Sequence, residues 1–373
     1  MSNIYVGMDV HQESITAAVL PAHAPSPTRV DRLPNDLPKV RRYRERLSAD
    51  GTLQVCSEAS GAGSVLHRAV TNWGYACVVI APSLIPTKPG VQRKHDKYDA
   101  AQLARLFRAG ELTAVRVPSE AEERVRDLVR CRETLQRELL QSRHYLLKFL
   151  TRRGLIFRAG KHWTKAHLAW LQTLAEAGSP LVAEDQFVFR EYLALFEYKL
   201  DRRLVLDRQI AVLAATPALA PAVGRLQCFR GVQVQTAMVL ATELGDWRRF
   251  ASPRQLMAYL GLVPTERSSG PRERKGSITK AGNSHCRHVL VQAAWSYRHR
   301  PKVAAPMKAR QRSPPAHVVA HAWKAQHRLH ALYQHLAYRK QPGIAAVAVA
   351  RELVGFLWAV MRELEPSPVA AVH

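Results

Sequence analysis

Asp9, Glu58, Asp96 and Asp99 are the residues near the start of this chain whose type and spacing suit chemistry. Clustered carboxylates repel one another, and repel phosphate, unless a cation lies between them. Hard oxygen ligands of this kind select Mg²⁺ or Mn²⁺ over zinc. Two such ions about 4 Å apart can activate a nucleophile and steady a leaving oxygen on a phosphodiester. The rest of the chain has the opposite sign. It carries 55 Lys and Arg against 30 Asp and Glu, a formal charge of +25 over 373 residues. That excess suits a polyanionic partner and exceeds what solubility requires. A basic body around an acidic metal pocket is the plan of a nuclease or a DNA strand-transfer enzyme.

The elements that must position these acids follow from the hydrophobic pattern. Residues 4–10 (IYVGMDV) are a nearly continuous apolar run, as in a buried central strand. Residues 15–20 alternate weakly after a short polar turn, and 30–33 complete a meander. A helix over 38–47, a strand over 53–57, a helix over 63–73 and a strand over 75–80 follow. A Pro-rich loop, 81–94, leads into a helix over 95–109. The order βββαβαβα is that of the ribonuclease-H-like fold, here for a domain of residues 1–118. In it Asp9 and Glu58 close neighbouring strands. Asp96 and Asp99 are spaced i, i+3 and share a helix face. At about 100° per residue they fall in the arc of Ala100, Leu103, Leu106 and Phe107. Both are therefore expected to face the sheet, where a carboxylate needs a cation or a basic partner. Taken singly, an Asp at a strand end is more often a turn or cap residue, and Asp96 could merely cap its helix. The signal is the joint placement of four.

From Ser119 the composition changes. Residues 119–152 hold no Gly or Pro and read as one long helix, with Ser119 and Glu122 as a capping box. Val125, Leu128, Leu135, Leu139 and Leu146 form a near-heptad stripe. A second long helix over 184–215 carries Tyr192, Phe196, Leu200, Leu206, Ile210 and Leu213. The pair suits an antiparallel coiled-coil arm, a dimerisation surface or an ordinary bundle core. Together with a basic, Trp-containing insert at 154–178, these helices make a linker region, 119–225. Residues 226–373 form a mainly helical domain, with helices over 234–244, 252–260 and 284–297 and a helical tail. The fold class is thus α/β plus all-α. Five cysteines without a CxxC pair, and no secretion signal at the start, point to a reduced, cytoplasmic setting. The most apolar stretch, 343–361, is interrupted by Arg351 and Glu352, so no membrane partner is expected.

Particular strings carry a resemblance. Gly7-Met8-Asp9-Val10-His11, Glu58-Ala59-Ser60-Gly61 and His95-Asp96-Lys97-Tyr98-Asp99-Ala100 resemble the RuvC-like DEDD domain of an insertion-sequence transposase family. The best-known members of that family are recombinases guided by a bridge RNA. ELGD at 243–246, FASPRQL at 250–256, YLGLVP at 259–264, Ser269-Gly270 and ITKAGN at 278–283 resemble its C-terminal transposase domain. The insert GKHWTKAHLAWL at 160–171 is similar to one branch. The likeness covers most of residues 1–300.

The resemblance implies that Asp9, Glu58, Asp96 and Asp99 are both catalytic and metal-holding. It implies that Ser269 attacks DNA and forms a covalent phosphoserine link, in cis or from another subunit. A serine hydroxyl is a poor nucleophile and needs activation. By composition alone, Ser268-Ser269-Gly270 is a flexible turn. The implied partners are donor and target DNA, a guide RNA and further copies of the chain, as a dimer or tetramer. Arg267, Arg272, Arg274, Lys275, Lys280, Arg287 and His288 form a basic cluster suited to phosphates. Gly282 and Asn283 could add a helix-start anion site. Lys88, Arg93 and Lys94, and Lys161, His162 and Lys165 in the insert, are candidates for guide RNA or DNA backbone. The family's usual Pro-Gly-Ile-Gly reads Arg230-Gly231-Val232-Gln233 here, with Arg230 as an electrostatic replacement for a glycine-amide grip. A Holliday-junction resolvase of RuvC type would share the acids but use water. A sugar kinase would share Gly-x-Asp but needs a second Gly-rich phosphate loop, which is missing. A nucleic-acid-binding protein without catalysis would not need four acids.

Overall fold

The apolar run around Gly7 becomes the central strand β1 (Asn3–Val10). It pairs antiparallel with β2 (Ser14–Pro21) and parallel with β4 (Thr52–Glu58). Strand β3 (Arg29–Pro34) pairs antiparallel with β2, and β5 (Ala76–Ile80) runs parallel to β4. A two-residue strand, β6 (Ala114–Val115), closes the far edge. It was too short to leave a periodic signal. The sheet order is β3-β2-β1-β4-β5-β6. The computed structural model describes residues 2–61, 63–82, 85–86, 95–266 and 275–365. The chain divides into two compact units, Met1–Val117 and Pro118–His373.

Strand alternation sorts the first unit into two faces. Val6, Met8 and Val10 of β1 and Leu53 and Val55 of β4 pack against α1 (Leu37–Ser48) and α2 (Gly63–Asn72), through Val40, Tyr43, Leu47, Leu66 and Val70. The opposite face receives α3 (Asp96–Arg108), which buries Ala100, Leu103 and Ala104. Its approach is unusually close. A Cβ on Gly7 would meet the Ala100 carbonyl oxygen, and would lie 2.5 Å from the Ala104 nitrogen and 2.9 Å from Leu103 Cβ. Only glycine fits between that strand and that helix. One strand over, Cys56 Sγ reaches the Leu103 carbonyl at 3.7 Å.

The second unit opens with α4 (Glu120–Thr151), capped reciprocally by Ser119 and Glu122 as expected. It lies along α6 (Ala183–Ala214). Arg132 pairs with Asp207, Arg203 bonds Gln136, Lys199 pairs with Glu138 and Arg153 with Asp185. One number rises as the other falls, so the two helices are antiparallel. The insert forms α5 (Lys165–Ala175), capped by Thr164, and its tryptophans turn inward. Trp163 and Trp170 join Phe149, Phe189 and Phe196 in a small core at this end of the pair.

Past the arm come α7 (Ala220–Gln227), α8 (Val234–Leu244) and α9 (Pro253–Tyr259). A hairpin of β7 (Pro264–Glu266) and β8 (Lys275–Ile278) leads into α10 (Ser284–Ala294). Helices α11 (Ala305–Arg310), α12 (Ala316–Ala337) and α13 (Pro342–Met361) complete the unit. By length and composition α13 could cross a membrane. Here its Ala345, Val349, Leu353 and Leu357 are fully buried in the core of this unit, and Glu352 accepts from Arg328 at 2.6 Å.

A buried ionic knot joins α4, α8 and α10. Glu243 on α8 accepts from Arg130 Nε at 2.6 Å, from Arg130 Nη2 at 2.9 Å and from Asn283 Nδ2 at 2.7 Å. Asn283 is also the cap of α10, its Oδ1 accepting from the Cys286 N–H at 3.0 Å. Beside it, His285 on α10 bonds Glu133 on α4. Burial alone would raise the Glu243 carboxyl. The hydrogen bonds from Arg130 and Asn283 outweigh it and hold the group below the usual carboxylate range.

Two stability tests follow from these contacts. Gly7→Ala should lower unfolding free energy by about 3 kcal/mol, since the new methyl meets backbone that cannot swing aside. Urea denaturation with unchanged slope is the readout. Arg130→Ala removes both short charge-assisted bonds from a buried carboxylate and leaves it Asn283 and the more distant Arg126 at 3.9 Å, which costs about 3 kcal/mol; that is the low end, because Arg126 stays and the Arg130 side chain is 42% exposed. The sign with pH is fixed by the lowered Glu243 value. The ion pair contributes above the unfolded carboxylate range and is lost on acidification, so the deficit of Arg130→Ala should shrink as pH falls.

Candidate active site

The four predicted acids sit on three elements of the first unit. Register explains the first two. Gly7 of β1 stands beside Cys56 of β4, and both face α3. Two residues further along the same faces come Asp9 and Glu58, at the carboxyl ends of adjacent parallel strands. Asp9 is 8% exposed, and Glu58 is half-buried. Helix α3 begins with Asp96 and Asp99 in its first turn, one turn before the residues that pack on Gly7. The close helix–strand contact therefore sets the helix start over the strand ends. Acids in the first turn also suit the positive end of the helix dipole.

One expectation is corrected. Asp96 and Asp99 do not both face the sheet. Asp96 is exposed, with 49% of its side chain accessible, and Asp99 is half-buried. The packing face of α3 begins only at Ala100. The first turn overhangs the strand ends, so Asp96 comes to Asp9 at the rim instead of lying in the core, with Asp99 close enough to act on it through its charge.

The structure also brings a histidine to Asp9 and Asp96. His11 Nε2 lies 3.2 Å from Asp9 Oδ2 and 3.7 Å from Asp96 Oδ1. One ligand atom each from Asp9, His11 and Asp96 falls within 4.8 Å of the others, the only such triad among the described residues. The signal was present in Asp9-Val10-His11, because residues i and i+2 at a strand end project to one side. Burial pushes the Asp9 carboxyl up, the charge of His11 pulls it down, and Asp96 and Asp99 push it up again. The net direction is upward. A buried carboxylate held with too little positive charge, and met by two more acids and an imidazole, is a donor set that fits a divalent cation.

Neighbouring backbone holds this rim in place. Ser60 Oγ donates to the Val10 carbonyl at 3.2 Å and accepts from the Gly63 N–H at 3.1 Å, fastening the start of α2 to the end of β1. Ala59 N–H donates to the Ile80 carbonyl at 2.8 Å, which fixes the chain just after Glu58.

The nucleic-acid candidates divide. Lys161 and Lys165 are exposed at the insert, and Lys280 is exposed after the hairpin in a left-handed conformation (φ 55°). Arg287 is half-buried and donates to the Leu260 and Ala281 carbonyls, both at 2.9 Å, so it also holds the loop before α10. Asn283 and Gly282 do not leave a free helix start. Asn283 is engaged with Glu243 and Cys286, and a Cβ on Gly282 would strike the Tyr259 carbonyl. Nor is Arg230 an open replacement for a glycine grip. Its Nη1 donates to the carbonyls of His299 at 3.2 Å and Arg300 at 2.7 Å. Gly231 lies against the end of α10, where a Cβ would stand 2.9 Å from Ala293 Cα. Ser269, Lys88, Arg93, Lys94, Arg267, Arg272 and Arg274, and the side chain of Lys275, lie outside the described residues.

Two family models and several known proteins match this chain. Residues 6–153 match a DEDD transposase family model of the IS110 type. Residues 224–308 match the family described as Transposase IS116/IS110/IS902. The chain is 43% identical over 327 residues to the putative transposase y4qE of Sinorhizobium fredii, covering 87% of this chain and 79% of the relative. It is 29% identical over 342 residues to the transposase for insertion sequence element IS1533 of Leptospira borgpetersenii, covering 91% and 98%. The transposase for IS1111A of Coxiella burnetii is 27% identical over 247 residues, covering 64% of each chain. The chain belongs to the IS110 family of insertion-sequence transposases, enzymes that cut and rejoin DNA.

Proposed function

We propose that this transposase works through a divalent metal centre of Asp9, Glu58, Asp96 and Asp99 and a serine nucleophile, Ser269. The observation that carries the metal centre is the convergence of Asp9 and Asp96, with Asp99 near enough to raise Asp9 further. The strand order, with β1 to β3 antiparallel and β4 and β5 parallel to β1, supports a ribonuclease-H-like, RuvC-like assignment for the first unit. Mg²⁺ or Mn²⁺ is the ion that carboxylate oxygens favour. When bound, it supplies Lewis-acid stabilisation of phosphoryl and leaving oxygens.

The covalent step is a transesterification. Ser269 Oγ gives up its proton and forms a bond to the scissile phosphorus. The bond from phosphorus to the leaving strand oxygen breaks, and that oxygen takes a proton to become a free hydroxyl. Rejoining reverses this with the hydroxyl of the incoming strand and restores the serine. Bond energy is retained in the phosphoserine, so no external energy source is required. Donor and target DNA are the substrates, in the cytoplasm. A guide RNA from the element and a dimer or tetramer of the chain belong to the same reading. The quoted family motifs support them, as do the +25 charge and the exposed Lys161 and Lys165 of the insert. Base pairing would then choose the sequence while the protein grips shape and backbone.

Purified protein with element-end and target DNA, Mg²⁺ and the flanking RNA tests both halves. Ser269→Ala should abolish the covalent protein–DNA adduct and strand joining. Joining at the normal rate by Ser269→Ala would give the site to water, as in a junction resolvase. Asp9→Asn should lower strand cleavage more than about 100-fold, since a direct ligand matters at least as much as its outer partners. It should not lower Tm in metal-free protein. A raised carboxyl favours the fold only while protonated, so the native Asp9 weakens it as pH rises through that raised value, and Asn removes the effect.

A further inference from the structure

We propose that His11 is a direct ligand of the metal centre, through Nε2, and that this nitrogen tilts the centre from Mg²⁺ towards Mn²⁺. The inference rests on the metal reading given above and concerns a residue outside its four acids. Adjacent ligands about 2.1 Å from an octahedral ion stand about 3 Å apart. His11 Nε2 is 3.2 Å from Asp9 Oδ2 and 3.7 Å from Asp96 Oδ1. All three atoms lie within 4.8 Å of one another, so one ion placed among them can draw two oxygens and one nitrogen into its shell.

The imidazole is also held there. The His11 N–H donates to the Ser14 carbonyl at 2.9 Å. Asn35 Nδ2 donates to the His11 carbonyl at 2.9 Å, and the Asn35 N–H donates to the Glu13 carbonyl at 2.9 Å. The turn from β1 to β2 is therefore fastened to the end of β3, and His11 leaves that turn on the side of Asp9. Accessibility is arranged for entry of an ion. Asp9 forms the floor with 12% of its side chain accessible, while His11 and Asp96 stand open at 54% and 49%. With Nε2 giving its lone pair to an ion, Nδ1 keeps its proton and can bond water. Imidazole suits first-row transition ions, whereas Mg²⁺ prefers oxygen throughout. One nitrogen among hard oxygens should therefore favour Mn²⁺.

The test is electron–nuclear double resonance on the full-length protein loaded with Mn²⁺. A ¹⁴N coupling to the ion is expected, replaced by a ¹⁵N pattern when histidine alone is labelled, and lost in His11→Gln. By competition titration, His11→Gln should lower Mn²⁺ affinity about 10- to 100-fold and Mg²⁺ affinity less. Labelling needs no substitution, so a poorly folded variant cannot hide the answer. Stoichiometric Mn²⁺ without nitrogen coupling in the native protein would overturn His11 ligation and leave the acidic centre standing. Coupling that persists in His11→Gln would overturn it too. Binding of Mn²⁺ equal in native protein and Asp9→Asn would instead sink the metal centre itself.

Discussion

The contact on which the first unit depends is the seating of α3 directly on β1 at Gly7. Hydrophobic area alone would hold a helix against a sheet at the usual spacing. The missing Cβ lets Ala100, Leu103 and Ala104 drop onto the strand backbone. That close approach fixes where the helix begins relative to where the strands end. Asp96 is thereby delivered to the rim that Asp9 occupies. The same geometry buries Asp9 and crowds negative charge on it; burial first, then Asp96 and Asp99, push its carboxyl up. A site that is least comfortable when empty is well matched to a cation, since binding relieves the repulsion the fold has assembled.

The second unit solves a different problem. Its long helices need a definite register, and apolar stripes alone allow sliding. Ion pairs from Arg132 to Asp207 and from Arg153 to Asp185 fix the antiparallel pair at two distant points. The Glu243 knot does the same for the helical domain, at greater cost. Desolvating a carboxylate is unfavourable, and the bidentate Arg130 with Asn283 compensates for it. Because Asn283 also caps α10, the knot sets the start of the helix that directly follows the β7–β8 hairpin. Ser269 lies in the sequence between those two strands.

Much of this was legible because local rules were obeyed. The capping box at Ser119 and Glu122, the limits of α8 and the three-strand meander all follow from short-range chemistry. So does the placement of Asp9 and Glu58 at strand ends, since alternation gives each strand two faces. The misreadings share a cause. The Asp96 and Asp99 arc was sound as helix geometry, but periodicity does not say where along its length a helix leaves its support. Arg230 looked free for phosphate because charge in a sequence carries no record of the carbonyls it will meet. The mixed α/β plan survives these corrections, because none of them touches the packing that defines it.

The sequence by itself determined the chemistry available: four carboxylates, a strongly basic chain, two long amphipathic helices and motifs specific to one transposase family. It also determined which side of their strands Asp9 and Glu58 would occupy. Tertiary structure alone decided which of them meet. Residues 9, 11 and 96 are far apart or unremarked in the chain, and only the Gly7 contact and the fastened β1–β2 turn bring their ligand atoms within 4.8 Å. The physical reason is that residue type sets what a side chain can bind, whereas distance between remote side chains is set by backbone approach. Backbone approach here depends on a methyl group that is not there.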